Sequence, residues 1–156
     1  MNILFTCAGR RNYLINYFKE ALKGEGKIFA ADMQLNAPAL VDADIAIQVP
    51  GIYESNYIES IKEVIQTHQI DLLISLNDLE LPILSNAKNE IERMGVKVVV
   101  PNQEVIAIAF DKAKTADFIK TIGLYTPKIY LQLDEALQAI EQGELHYPLV
   151  VKPRWG

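Results

Sequence analysis

Two lysines and a pair of carboxylates are the residues of this 156-residue chain whose types and spacing best suit chemistry. Lys152 stands in "YPLVVKPRWG", residues 147–156, where Leu149, Val150 and Val151 read as a buried strand delivering Lys152 and Arg154 towards Gly156. Val150 and Lys152 share one face of that strand, and Pro148 and Pro153 bracket it, so the lysine stem is expected to be covered. A covered cation needs a counter-anion, because an unpaired buried charge is costly. A ligand phosphate meets that need, and so does an internal carboxylate. Lys112 lies forty positions earlier, directly after Asp111, which suits the N-cap of a helix.

The carboxylates are Asp78 and Glu80, in "LNDLEL" at residues 76–81. Pro82 has no amide proton and belongs in or before the first turn of the next helix, which puts both acids at the mouth of the preceding strand. Asp78 there either caps the helix or, with Glu80, anchors an amine or hydroxyl of a substrate. Arg10 and Arg11 follow the first strand. They either meet an anion at a helix amino terminus or are ordinary solvated charges. For Asp32 a turn role outweighs a ribose contact. Cys7 reads as a small buried residue, and His68 and His146 as surface residues without partners at ligand spacing.

These residues need elements to position them. Apolar runs at Asn2–Thr6, Lys27–Ala31, Ile45–Val49, Asp71–Leu76 and Val96–Val100 predict five strands. Between them, Leu14, Ile15, Phe18, Ala21 and Leu22, then Tyr57, Ile58, Ile61, Val64 and Ile65, then Leu84, Ala87, Ile91 and Met94 recur at helical spacing. Residues around Pro38 read as a loop. Solidly apolar strands alternating with helices predict an α/β fold, a Rossmann-like parallel sheet over residues 1–101. In residues 102–156 the pattern predicts helices at Glu104–Ala109, from Asp111 to Gly123, and at Asp134–Gln142, with strands at Lys128–Leu131 and Pro148–Pro153. The turn after the first strand has one glycine where a dinucleotide fingerprint needs three, which excludes a nicotinamide or flavin site.

Bulk properties narrow the classes further. A net charge of −5 and a pI near 5.0 argue against a general nucleic-acid binder. A single cysteine excludes an intrachain disulfide and a cysteine cluster for zinc. The first residues lack the pattern of a signal peptide, and no apolar run approaches the roughly 18–20 residues that span a bilayer. No membrane partner is expected, and the cytoplasm is the default location.

The segment "FDKAKTADFIKTIGLYTPKIY" followed by "YPLVVKPRWG" resembles the opening of an ATP-grasp fold, in the branch related to the large subunit of carbamoyl-phosphate synthase. "TCAGRRNYL", "AAD" and "LNDLEL" resemble the same branch's pre-ATP-grasp domain, so the resemblance covers the whole chain. It implies a pre-ATP-grasp sheet followed by the beginning of an ATP-grasp small subdomain. Lys112 and Lys152 would contact the phosphates of ATP, Gly156 would lead into a glycine-rich loop, and Arg10, Asp78 and Glu80 would face the substrate. The implied reaction is activation of a small carboxylate by ATP and magnesium as an acyl phosphate, which a nucleophile then attacks. The family's larger subdomain, with its adenine-binding strand and magnesium ligands, has no counterpart in residues 1–156. The resemblance therefore implies an amino-terminal piece, inactive alone, whose uncovered apolar surface and strand edge could drive self-association. The alternative is a standalone Rossmann-like module that binds or senses a small polar metabolite at the Arg10, Asp78 and Glu80 mouth. A receiver-like phosphoacceptor fits poorly, because the third strand ends in Val49-Pro50-Gly51 and not in an aspartate.

Overall fold

The computed structural model describes residues 1–155. The chain forms two compact units, Met1–Gln103 and a second beginning at Glu104. Gly156, expected to lead into a glycine-rich loop, lies outside the described residues.

The first unit alternates strands and helices: β1 (Asn2–Thr6), α1 (Asn12–Leu22), β2 (Lys27–Asp32), α2 (Pro38–Asp42), β3 (Ile45–Gln48), α3 (Tyr57–His68), β4 (Leu72–Ser75), α4 (Leu81–Glu92) and β5 (Lys97–Val99). The strands form one sheet, all parallel, in the order β3-β2-β1-β4-β5. The central strand β1 is apolar at Ile3, Leu4 and Phe5 because helices cover both of its faces, and all three are fully buried. Ile3, Phe5, Ile28 and Ala30 pack with Ile15 of α1 and with Ala39 and Leu40 of α2, and the Phe18 ring meets Phe5 edge-on at 5.0 Å. Leu4, Phe29, Leu73 and Val98 lie in register on the opposite parity, the face of α3 and α4, where Ile61, Ile65, Leu84 and Ile91 are buried.

Two details depart from the sequence reading. Pro38–Asp42 is a helix, not a loop. It is five residues long, too short to register as a periodicity, and Pro38 in its first turn suits it for that place. In β4 only Leu73 is fully covered. Leu72 and Ile74 are half-buried because α1 and α2 lie over β2 and β3 and reach β4 only in part.

The second unit holds α5 (Gln103–Ala109), which begins at the boundary, α6 (Lys112–Thr121) and α7 (Leu133–Glu141). The expected strands at Lys128–Leu131 and Pro148–Pro153 are not formed. Among the described residues of this unit, strand pairing is limited to one antiparallel bridge between Asp111 and Trp155. Val150 and Val151 are 85% and 96% exposed, so the segment read as a buried strand is neither buried nor a strand. An apolar run becomes a strand only where a neighbour takes up its backbone N–H and C=O groups, and among the described residues no neighbour does so for these two runs. Among the described residues no helix is long and apolar enough to cross a membrane.

Candidate functional site

After β1 the chain works outward through β2 and β3, then crosses to β4 and β5 on the other side, so strand order reverses between β1 and β4. The loops leaving those two strands diverge, and in open parallel sheets ligands bind in the crevice this leaves. Its walls are residues 7–11 and 76–80.

The first wall is tied to the sheet by its own backbone. Cys7 and Gly9 both take left-handed backbone angles, with φ of 49° and 52°. The Ala8 N–H donates to the Ala31 carbonyl at 3.2 Å, and the Gly9 carbonyl accepts from the Ala39 N–H at 3.0 Å. Asp32 holds the same turn: one carboxylate oxygen accepts from the Gly9 N–H and the other from the Gln34 N–H, each at 2.9 Å. Both oxygens are engaged, which is the turn role read from the sequence. Arg10 and Arg11 project from this wall into solvent, and no side-chain hydrogen bond caps α1.

The second wall separates the two carboxylates. Asp78 is exposed, and it does not cap α4, whose amino terminus has no side-chain cap bond. The loop is held by Asn77 instead, whose side-chain oxygen accepts from the Leu79 N–H at 3.0 Å. Glu80 is fully buried beneath the loop. One of its oxygens accepts from the Thr6 hydroxyl at 2.8 Å and from the Ser75 hydroxyl at 2.5 Å, and the other accepts from the Tyr57 hydroxyl. Burial, and then the charge of Glu80, push the Cys7 thiol and the Tyr57 phenol up, so both stay protonated. Cys7 is accordingly not a poised thiolate.

Thr6, Ser75 and Tyr57 were missed in the sequence. A signal for two of them exists: Thr6 and Ser75 are polar residues closing apolar strands, and the register sets them opposite one another. Nothing local marks Tyr57, which opens α3 and is 1% exposed. His68 lies in the last turn of α3, half-buried with its ring 5.0 Å from that of Phe29, and His146 is exposed.

The second unit has a different arrangement. Asp111 caps α6 as expected, accepting from the N–H groups of Ala113 at 3.0 Å and Lys114 at 3.4 Å. The same carboxylate takes a two-pronged ion pair from Arg154, with its Nη2 at 2.7 Å and its Nε at 2.9 and 3.0 Å. Those bonds, Arg154 foremost and the cap amides after it, hold Asp111 down at about 2. The Lys112 N–H donates to the Arg154 carbonyl at 3.0 Å, which brings the 152–155 segment beside the start of α6. Lys112 is half-buried there, and Lys152 is exposed with no covered stem. The counter-anion expected for a buried Lys152 is therefore not required. The carboxylate beside this segment, that of Asp111, pairs with Arg154, two residues on from Lys152.

Residues 3–99 match the family described as PylC-like, N-terminal domain. The formate-dependent phosphoribosylglycinamide formyltransferase of Synechococcus sp. strain RCC307 is 32% identical over 130 residues, 81% of this chain and 30% of the relative. The carbamoyl phosphate synthase large chain of Clostridium acetobutylicum is 25% identical over 122 residues, 77% of this chain and 11% of the relative. Among solved structures, N5-carboxyaminoimidazole synthetase from Staphylococcus aureus, complexed with ADP, superposes on 99% of this chain and 38% of its own with a TM-score of 0.66 at 19% identity. The chain thus spans less than a third of the length of the two curated relatives. The likeness to the amino-terminal part of ATP-grasp proteins read from the sequence holds, and so does the α/β parallel sheet. The likeness does not single out the carbamoyl-phosphate synthase branch.

Proposed function

The chain belongs to the PylC-like N-terminal domain family, and on that premise we propose that it is the substrate-side part of an ATP-dependent carboxylate ligase acting through an acyl phosphate. The observation that carries this reading is the mouth at the β1–β4 switch point. Its structural polar groups, Asp32, Asn77 and Glu80, are already engaged, while Arg10 and Asp78 face solvent on opposite walls. A cation and an anion so placed suit a small molecule carrying both a carboxylate and an amine. Arg10 would take the carboxylate and Asp78 the amine, each orienting the substrate and neither reacting with it.

ATP supplies the phosphoryl group in this proposal. Lys112, and Lys152 two residues before the Arg154 carbonyl that pairs with the start of α6, are the side chains that would neutralise its phosphates. Both are long cations near one helix start, a donor set that fits a polyphosphate. Among the described residues no group of three or more His, Cys, Asp or Glu is placed to hold a metal ion, so no step is assigned to magnesium here. The parent reaction draws on parts of the relatives that this chain does not span.

The exposure of Lys152 favours a second reading, a Rossmann-like binding or regulatory module that uses the same mouth without ATP. One titration separates them. Backbone amide shifts of the 156-residue chain are followed while glycine, glycinamide and then ATP are added. The ligase reading expects glycine to move residues 7–11 and 76–80, glycinamide, which keeps the amine and lacks the carboxylate, to move residues 76–80, and ATP to move residues 112–114 and 152–155. Arg10→Ala and Asp78→Ala should each weaken glycine binding about tenfold, the loss of one charge-assisted contact, and Asp78→Ala should do the same to glycinamide. Shifts at the mouth with none from ATP would leave the binding module. Steady ATP hydrolysis by the pure chain would refute the view that the reaction needs more than these residues.

A further inference from the structure

Glu80 is a carboxylate with no solvent contact, and none of the ion pairs among the described residues involves it. Its donors are the hydroxyls of Thr6, Ser75 and Tyr57. A carboxylate in such a place is costly to keep when an apolar side chain of similar volume would pack as well. What it joins explains its presence. Thr6 is the last residue of β1 and Ser75 the last of β4, so one oxygen ties together the two strand ends from which the crevice walls spring. Ser75 has a single O–H. At 2.5 Å from Glu80, against 3.2 Å from the Asn77 carbonyl, that proton belongs to Glu80. The Ser75 oxygen is then left to accept from the Asn77 N–H at 3.2 Å. Asn77 in turn holds the Leu79 N–H beside Asp78. A chain of bonds thus runs from Glu80 through Ser75 and Asn77 to the exposed wall, while Thr6, bonded to the same oxygen, leads along the backbone directly into Cys7 and the 7–11 wall.

We propose that Glu80 is a positioning residue of the mouth: buried, it meets no ligand, and through Thr6, Ser75 and Tyr57 it sets the separation and aim of the walls that present Arg10 and Asp78. The assignment rests on the mouth being the substrate side of the site. It divides the two carboxylates that the sequence groups together, giving contact to Asp78 and placement to Glu80.

Amide hydrogen exchange of the intact chain, with glycinamide as the binding probe, tests it. Glu80→Gln keeps the shape but replaces one acceptor oxygen by a donor, so one hydroxyl must turn away. Exchange at residues 7–10 and 77–79 should then rise about tenfold relative to the amides of β5. Tyr57→Phe removes one hydroxyl only, is the gentler change should the first variant fold poorly, and should loosen the same loops less. Exchange that rises equally in β5 and in both loops, or in neither, would overturn the clamp. Weaker glycinamide binding in Glu80→Gln without faster loop exchange would mean direct contact and would also overturn it. Asp78→Asn acts as the separate control. If that variant binds glycinamide unchanged, the substrate reading of the mouth falls and takes with it Glu80's role towards a ligand, whereas the exchange data still judge the clamp.

Discussion

Each half of this molecule is organised around one acid, and the two acids are satisfied in opposite ways. Glu80 is sealed beneath its loop at the carboxyl edge of a five-stranded sheet and bonded to neutral hydroxyls from β1, β4 and α3. Asp111 caps a helix and is clamped by a guanidinium 43 residues away, in a unit whose Val150 and Val151 stand in solvent. Where a sheet already fixes the backbone, uncharged donors suffice and the acid can tune local geometry. Where no ladder exists, the 152–155 segment is held by an ion pair, one isolated bridge and a backbone bond to Lys112. The first acid refines a structure that other forces have made. The second is a principal part of what holds its segment in place.

The contrast can be broken at its strongest point first. Leu73→Ala empties a fully buried site between β1 and β5 and should cost about 2–5 kcal/mol in urea unfolding. A cost below about 1 kcal/mol would mean that the sheet does not carry the first unit. Glu80→Ala comes next, at about 1–3 kcal/mol, because three hydroxyls lose their acceptor. An equal loss on Glu80→Leu would show that removing the bonds matters more than the cavity.

Acid should distinguish the two halves. The carboxyl of Asp111 is depressed in the folded chain to about 2, from about 3.9 when unfolded. Its stabilising effect is therefore complete above the unfolded value and is lost as pH falls through about 2. Exchange at Ala113 and Lys114 should accelerate between about pH 4 and pH 2, and Asp111→Asn should abolish that pH dependence. A profile unaffected by the substitution would contradict the clamp. The smallest effect is expected at Val151, where Ala should change stability by less than about 0.5 kcal/mol because the side chain is 96% exposed. A cost comparable to that of Leu73→Ala would restore the buried strand that the sequence suggested.

Legibility followed the same division. β1 begins and ends where its apolar run does, at Asn2 and Thr6, since a strand buried on both faces leaves an unbroken apolar signature. The helices were marked by their periodicity, and Asp111 by the fit of an aspartate to a helix start. Pro38–Asp42 carried too few residues for a period to emerge. The runs at Lys128–Leu131 and Pro148–Pro153 misled because composition reports what a segment can bury, and pairing decides whether it does. The candidate site was half visible. Its place on the post-strand loops followed from the parallel pattern, but the different fates of Asp78 and Glu80, two positions apart, did not.

By itself the sequence determined the alternation of strands and helices, the parallel sheet and the chemistry available at its carboxyl edge, because these depend on hydrophobic period and residue type along the chain. Only the tertiary structure decided that Glu80 turns inward to Thr6, Ser75 and Tyr57, that Asp78 stays in water, and that Arg154 rather than Lys152 is the cation drawn to a carboxylate. Those outcomes depend on which groups meet across separations of 5 to 74 residues, and on which hydrogen bonds remain unmade once the backbone is packed.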